Sequence, residues 1–76
     1  MPHVIVKLLS GRSDQQKAKI AAEVTKAIIA TADCSESAVS VCIQDIQPDA
    51  WTETVYKPDI LGDPGKLFKK PGYIPE

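Results

Sequence analysis

Residues 2–46 decide the fold, and they read PHVIVKLLSGRSDQQKAKIAAEVTKAIIATADCSESAVSVCIQDI. A run of β-branched and aliphatic residues over 2–9 predicts a strand covered on both sides, since both faces of the pleat carry apolar side chains. An alternating run over 38–46 predicts a second strand. The connection between the two runs is long enough to hold a whole helix. The stretch therefore predicts an α/β fold, a right-handed βαβ unit with two parallel strands and one main helix.

The connecting helix is predicted over residues 14–32, with 33–35 as its exit. Ser13 and Gln16 fit the S-x-x-Q form of a capping box, in which two backbone N–H groups of the first turn are satisfied by side chains. Small and apolar residues then recur at three- and four-residue spacing, as one face of a helix requires. These residues are Ile20, Val24, Ala27, Ile28 and Thr31.

Beyond the second strand the pattern weakens, because four of the six prolines and three of the four glycines lie from residue 57 onward. Residues 51–56 fit either a short helix or an extended piece, and 65–70 fit one helical turn. We predict a single domain over residues 1–76, with the βαβ core and pocket residues in 2–56. Residues 57–76 are predicted to form a turn-rich tail that takes part in oligomerisation.

Self-association is predicted from the pattern alone. A chain of 76 residues buries only about 60% of its unfolded surface, so its core is small. One helix covers one face of a two-stranded parallel sheet, and parallel sheets occur almost only with both faces buried. The second face is therefore expected to meet another copy of the chain.

Composition excludes several classes of partner. The net charge is −1, with 43% apolar and 25% charged residues, which is ordinary for a globular domain. This balance argues against a nucleic-acid binder or a membrane-surface helix. No apolar run approaches the roughly 20 residues of a membrane span, and the amino terminus lacks a signal-peptide pattern. We expect a cytoplasmic protein with neither nucleic acid nor membrane as partner.

Metal chemistry is also unexpected. The chain has one histidine, and its two cysteines, Cys34 and Cys42, are too far apart for a C-x-x-C motif. No cluster has the spacing of zinc ligands. We predict that the protein needs no metal and no other cofactor, and that both cysteines serve as packing or loop thiols.

Three residues remain as candidates for chemistry. Pro2 follows the initiator methionine, and removal of Met1 would free a secondary amine that can act as a general base or a nucleophile. Arg12 lies before a helix start and is suited to clamp a carboxylate. Trp51 is suited to wall an apolar pocket. Each has a plainer interpretation: an edge-strand proline, a solvated loop arginine and a core tryptophan. Lys69, Lys70 and Tyr73 are expected to lie in a solvated tail.

Taken together, these features resemble the 4-oxalocrotonate tautomerase family. Met-Pro precedes a short strand, and Gly-Arg-Ser-Asp-Gln-Gln-Lys at 11–17 opens a helix that leads to a second strand. The resemblance covers residues 2–51, and the Lys-Lys-Pro-Gly-Tyr tail at 69–73 is similar to the longer subgroup of small bacterial tautomerases. It implies a βαβ unit that dimerises into a four-stranded sheet, with a trimer of dimers in some members.

The resemblance also implies roles for individual residues. Pro2 would be the general base, taking a proton from the enol or α-carbon of an unsaturated 2-oxo acid and returning it at another carbon. Arg12 would hold the substrate carboxylate and draw electron density toward it. The backbone N–H of Leu9 would contribute to oxyanion or water binding. Trp51, where the family usually has Phe, would keep the pocket apolar and lower the pKa of the amine.

One position departs from the family pattern, since Ser40 stands where a second arginine is expected. Its loss removes a charge-assisted contact worth about 1.5–3 kcal/mol, so a dicarboxylate would react more slowly by roughly one to two powers of ten. A monocarboxylate enol of the phenylpyruvate type fits better. The resemblance therefore implies a cofactor-independent keto-enol tautomerase, an isomerase. Two alternatives stay open: a non-catalytic oligomeric binding module with a vestigial pocket, and hydratase or dehalogenase chemistry at the same proline.

Overall fold

The computed structural model describes residues 1–75. The chain forms a βαβ unit from β1 (His3–Leu9), α1 (Asp14–Ala32) and β2 (Ser40–Ile46). A π-helix, Thr52–Leu61, follows β2 and leads into the tail. Short 3₁₀ turns lie at Glu36–Ala38, Pro48–Ala50 and Pro64–Lys66.

The two strands are parallel, as predicted, and pair in register from His3 opposite Ser40 to Leu9 opposite Ile46. Within residues 1–75 they form a two-stranded sheet. The ladder is extended at both ends, because Ser40 N–H donates to the Pro2 carbonyl at 3.1 Å and Ser10 N–H donates to the Ile46 carbonyl at 3.0 Å.

The first helix has the predicted bounds, and its start has the predicted cap. The Ser13 hydroxyl accepts from the Gln16 N–H at 3.1 Å, and the Gln16 side-chain oxygen accepts from the Ser13 N–H at 2.9 Å. The helix ends at Ala32, and its C-cap Asp33 adopts the left-handed conformation with φ 56°. One face packs on β2, but Ala27 and Thr31 of the predicted stripe are exposed.

Other element bounds differ from the prediction. β1 begins at His3 because Pro2 has no N–H for the ladder, and β2 begins at Ser40 because Glu36–Ala38 forms a 3₁₀ turn. The segment over 51–56 is helical and runs on to Leu61, through Pro58, across the predicted boundary between core and tail. The helical turn expected over 65–70 lies at Pro64–Lys66 instead.

Proline 58 is the local feature that argues against a continuous helix here. A proline inside an α-helix removes a hydrogen bond and its ring meets the carbonyl of the preceding turn, so a Lys57-Pro58 pair is typical of a helix end. The π-helix pairs residues five apart, and this wider turn leaves room for the ring. The helix ends at Gly62, where a Cβ atom would lie 2.4 Å from the Pro58 carbonyl oxygen, so only glycine fits.

Two ion pairs fasten helices to the sheet. On one face, Lys17 of α1 contacts Asp45 of β2 at 2.5 Å, and Asp14 lies 4.0 Å from the same ammonium group. The hydrogen bond to Asp45 raises the pKa of Lys17 above its ordinary value of 10.5, against a smaller opposing effect of partial burial. On the opposite face, Lys7 of β1 contacts Asp59 of the π-helix at 2.5 Å.

The single chain has almost no closed core. Val55, at 5% exposure, is the one apolar side chain among residues 1–75 that is fully buried. Apolar side chains on the sheet face opposite α1 are open to solvent, with Ile5 at 52% and Leu9 at 42% exposure. Among the described residues, no helix is both long and apolar enough to cross a membrane. The fold thus presents an apolar sheet face for which this chain supplies only partial cover.

Candidate active site

A cavity of about 420 Å³ lies where both strands end. β1 contributes its last residue, Leu9, and the turn that follows β2 contributes Pro48. The start of the π-helix places Trp51 and Thr52 beside them, and the tail returns to close another side. The lining consists of Leu9, Pro48, Trp51, Thr52, Tyr73 and Pro75. The cavity is thus largely apolar and large enough for a small organic acid.

The tail is fixed to this cavity by aromatic side chains. The Trp51 indole N–H donates to the Tyr73 hydroxyl oxygen at 2.7 Å. The ring of Tyr73 also lies against that of Tyr56, with centroids 5.7 Å apart and a tilt of 46°. The expectation of a solvated tail is therefore wrong for Tyr73, because these contacts hold it against the start of the π-helix.

Polar groups meet at the open edge of β1, next to the cavity. Successive N–H groups of a strand point to opposite sides, so the Ser10 bond to β2 means that the Leu9 N–H points away from β2. The Leu9 carbonyl lies on the same open edge and accepts from the Arg12 guanidinium at 3.1 Å. Arg12 thus lies beside the cavity, although its side chain runs along a groove on α1 that Gln16 and Ile20 also line.

Pro2 and Ser40 lie at the opposite end of the sheet. Pro2 and Leu9 are seven positions apart along extended chain, which amounts to about 23 Å. The Ser40 backbone bonds to Pro2, and its hydroxyl lies 2.6 Å from Nδ1 of His3. One chain therefore groups the predicted site residues in two sets, Leu9, Arg12 and Trp51 at one end and Pro2 with Ser40 at the other.

Two further features bear on the chemistry. Cys34 and Cys42 are free, half-buried thiols. Among residues 1–75, no three His, Cys, Asp or Glu side chains lie where they could jointly hold a metal ion. The requirement for neither metal nor cofactor stays a prediction.

Part of the cavity lining was not predicted from the sequence. Pro48, Thr52 and Pro75 were not among the predicted site residues, and Tyr73 was expected in a solvated tail. The sequence contains only a weak indication that the tail returns to the cavity. Pro71-Gly72 is a turn dipeptide that can redirect the chain, but it does not specify the surface toward which the chain turns.

Comparison with known proteins identifies the family. The family model described as tautomerase enzyme matches residues 2–54, well over half of the chain. The chain belongs to the tautomerase family. This membership confirms the predicted resemblance and makes the protein an enzyme, an isomerase of the tautomerase type. It leaves the alternative of a non-catalytic module without support.

Individual relatives agree with this assignment. The chain is 40% identical to the tautomerase PptA of Klebsiella pneumoniae (strain 342) over 74 residues, covering 96% of this chain and 97% of that protein. It is 38% identical to a probable tautomerase of Xylella fastidiosa (strain 9a5c), covering 96% and 89%. These tautomerase matches extend through most of the tail.

Solved structures give the same fold. SAR1376, a putative 4-oxalocrotonate tautomerase from methicillin-resistant Staphylococcus aureus, is 42% identical, with a TM-score of 0.60 over 62% of this chain and 76% of that one. TomN, a 4-oxalocrotonate tautomerase homologue of the tomaymycin biosynthetic pathway, is 34% identical, with a TM-score of 0.64 over 66% and 77%. The βαβ unit is thus the family fold.

Proposed function

We propose that this tautomerase interconverts the enol and keto forms of small unsaturated 2-oxo acids, with monocarboxylates of the phenylpyruvate type preferred. The observation that carries this proposal is the apolar cavity at the ends of both strands, with the Leu9 N–H and Arg12 beside it. An aryl group fits among Trp51 and its neighbours, and a carboxylate is met by a guanidinium.

The base is the amine of Pro2, set free when Met1 is removed. In the enol-to-ketone direction the neutral amine takes the proton of the enol hydroxyl, and the electron pair moves to form the C2 carbonyl. The same amine then delivers its proton to C3, so the net change is one proton moved from oxygen to carbon. Arg12 holds the carboxylate, and the Leu9 N–H donates to the oxygen that carries the developing charge.

A second subunit completes the site. The hydrogen-bonding groups on the open edge of β1 belong to odd-numbered residues, since the even-numbered ones pair with β2. An antiparallel pairing of two such edges can place His3 opposite Leu9 of the partner subunit. Pro2 then lies at the cavity of the other copy. The distance of about 23 Å between Pro2 and Leu9 of the same chain therefore does not prevent the two residues from serving one site. This pairing makes the four-stranded sheet of a homodimer.

The test is the rate of ketonisation of phenylenolpyruvate, followed by its loss of ultraviolet absorbance, with mass spectrometry of the same sample to show that Met1 is absent. Replacing the secondary amine in Pro2→Ala should lower kcat/KM by at least about 100-fold. Pro64→Ala removes a proline outside the cavity and should leave the rate unchanged.

A second preparation separates the amine from the ring. A chain that retains a tag before Pro2 keeps the pyrrolidine but has no free amine, so it should be inactive until the tag is cleaved at Pro2. Equal rates in the native chain, Pro2→Ala and the tagged chain would overturn the assignment of the base. A faster reaction with a 3-haloacrylate than with the enol would point to hydratase or dehalogenase chemistry instead.

A further inference from the structure

Tyr73 is a polar group of the cavity that the proposed mechanism does not use. It lines the cavity together with Leu9 and Trp51, although it lies 64 positions after Leu9 in the sequence. The residue is 44% exposed and lies between this cavity and a second pocket that Tyr56 and Ile60 line. Its ring is held from the other side by Tyr56.

The hydrogen-bonding state of Tyr73 makes it a donor. The indole N–H of Trp51 can only donate, so the Tyr73 oxygen is the acceptor of that bond. The phenolic proton is then free for another acceptor, and within residues 1–75 its hydroxyl makes no bond other than that with Trp51. A fixed donor at the wall of an apolar cavity is suited to an anionic oxygen.

We propose that Tyr73 is a substrate-binding residue that donates a hydrogen bond to the carboxylate of a monocarboxylate ligand. This inference rests on the proposed function, since it assigns the ligand class of the same cavity. Tyr73 thereby supplies a neutral contact in a site that lacks the second family arginine at Ser40. A neutral donor can bind the single carboxylate of a monocarboxylate. It does not add the positive charge of an arginine, which would favour a ligand with two carboxylates, so Tyr73 sets specificity for monocarboxylates.

Binding of 3-phenylpropionate tests the proposal without turnover. Trp51 is the only tryptophan of the chain, so its fluorescence reports occupancy of the cavity. Tyr73→Phe removes the hydroxyl and keeps the ring, and it should raise the Kd by about ten-fold or more, as expected for a hydrogen bond to a charged group. Tyr56→Phe makes the same change outside this cavity and should stay within about two-fold of the native Kd.

A neutral ligand distinguishes contact from packing. Binding of 3-phenylpropanol, which has the same ring and no carboxylate, should change little in Tyr73→Phe. A Kd for 3-phenylpropionate that is unchanged in Tyr73→Phe, or equal weakening of both ligands, would overturn the proposal. If Pro2 is not the base, the rate measurements will show it, while the binding titrations still measure the Kd of each ligand. The two proposals are therefore tested independently.

Discussion

Ser40 stands at the position where the family resemblance implies a second arginine. Its backbone N–H bonds to Pro2, so the position lies next to the proposed base. Its hydroxyl is engaged with the imidazole of His3 at 2.6 Å. A short polar pair therefore occupies the position where the resemblance implies a cation, so this position offers no second guanidinium to a substrate.

Restoring the arginine should broaden the substrate range. Ser40→Arg adds a charge-assisted contact for a second carboxylate, so kcat/KM for 2-hydroxymuconate should rise roughly ten- to 100-fold, with a smaller change for phenylenolpyruvate. Gln44→Arg adds the same charge two pleats along the same face of β2 and should leave the ratio of the two substrates unchanged. An unchanged ratio in Ser40→Arg would contradict the role of this position.

Trp51 should control the pH dependence of the rate. An apolar wall disfavours the protonated form of an amine and lowers its pKa. In the proposed mechanism the neutral amine of Pro2 is the working form, so the rate should rise with pH through that pKa. Trp51→Ala admits water and should move the rising limb to higher pH. Phe68→Ala removes an aromatic ring that is 98% exposed and should leave the limb in place. A pH profile unmoved in Trp51→Ala would argue against this wall as the cause.

At the scale of elements, the attachment of α1 to β2 depends on an ion pair as well as on apolar contact. Lys17 reaches from the first turn of α1 to Asp45, near the end of β2. The same end of the sheet leads into Pro48–Ala50 and the cavity. Loosening this contact would therefore loosen the cavity side of the βαβ unit.

The pair predicts an alkaline limit on stability. The pKa of Lys17 is higher in the folded chain than its ordinary value of 10.5, chiefly through the hydrogen bond to Asp45. The stabilisation is fully present below the unfolded pKa and is lost as pH rises through the folded one, that is, above 10.5. Urea midpoints of the native chain and Lys17→Met should therefore differ at neutral pH and converge above pH 10.5.

Lys19→Met is the matched control, because Lys19 is exposed on the same helix. Its urea midpoint should follow the native one across this pH range. A gap between the native chain and Lys17→Met that persists undiminished at high pH would show that the contact acts by packing of the lysine stem rather than by charge.

At the scale of the whole molecule, the proposed homodimer would account for stability. Among residues 1–75, Val55 is the one fully buried apolar side chain, which is far too small a core for a folded domain, and Ile5 and Leu9 leave apolar surface on the open sheet face. In the proposed dimer this face is buried, and the same pairing brings Pro2 to the partner's cavity. On this proposal, one association provides both the stability and the complete site.

Charge on the open face should separate the subunits. Ile5→Asp places a carboxylate on the apolar face of β1 and should lower the mass measured by light scattering toward the 8.2 kDa of one chain. It should also abolish activity, since Pro2 loses the partner's cavity. Ala22→Asp makes the same kind of change on an exposed position of α1 and should leave the mass unaltered. A native chain that is a stable 8.2 kDa monomer at micromolar concentration would refute the shared site.

Much of the fold was predictable because its signals are local. The capping box of Ser13 and Gln16 indicated the start of α1, and the alternation over 38–46 indicated a strand, which the structure has at Ser40–Ile46. A helix between two strands makes them parallel. The family resemblance likewise depended on short stretches, Pro2 and residues 11–17. These features involve neighbours along the chain, so the sequence by itself determined them.

Only the tertiary structure decided what reaches the cavity. Tyr73 meets Trp51 after the π-helix continues through Pro58 and the tail turns back, and no local pattern specifies the direction of that return. The separation of Pro2 from Leu9 is also a property of the extended strand, which places the two ends of one motif about 23 Å apart. Contacts between residues distant in the chain depend on the path of the backbone, and that path follows from packing rather than from propensity.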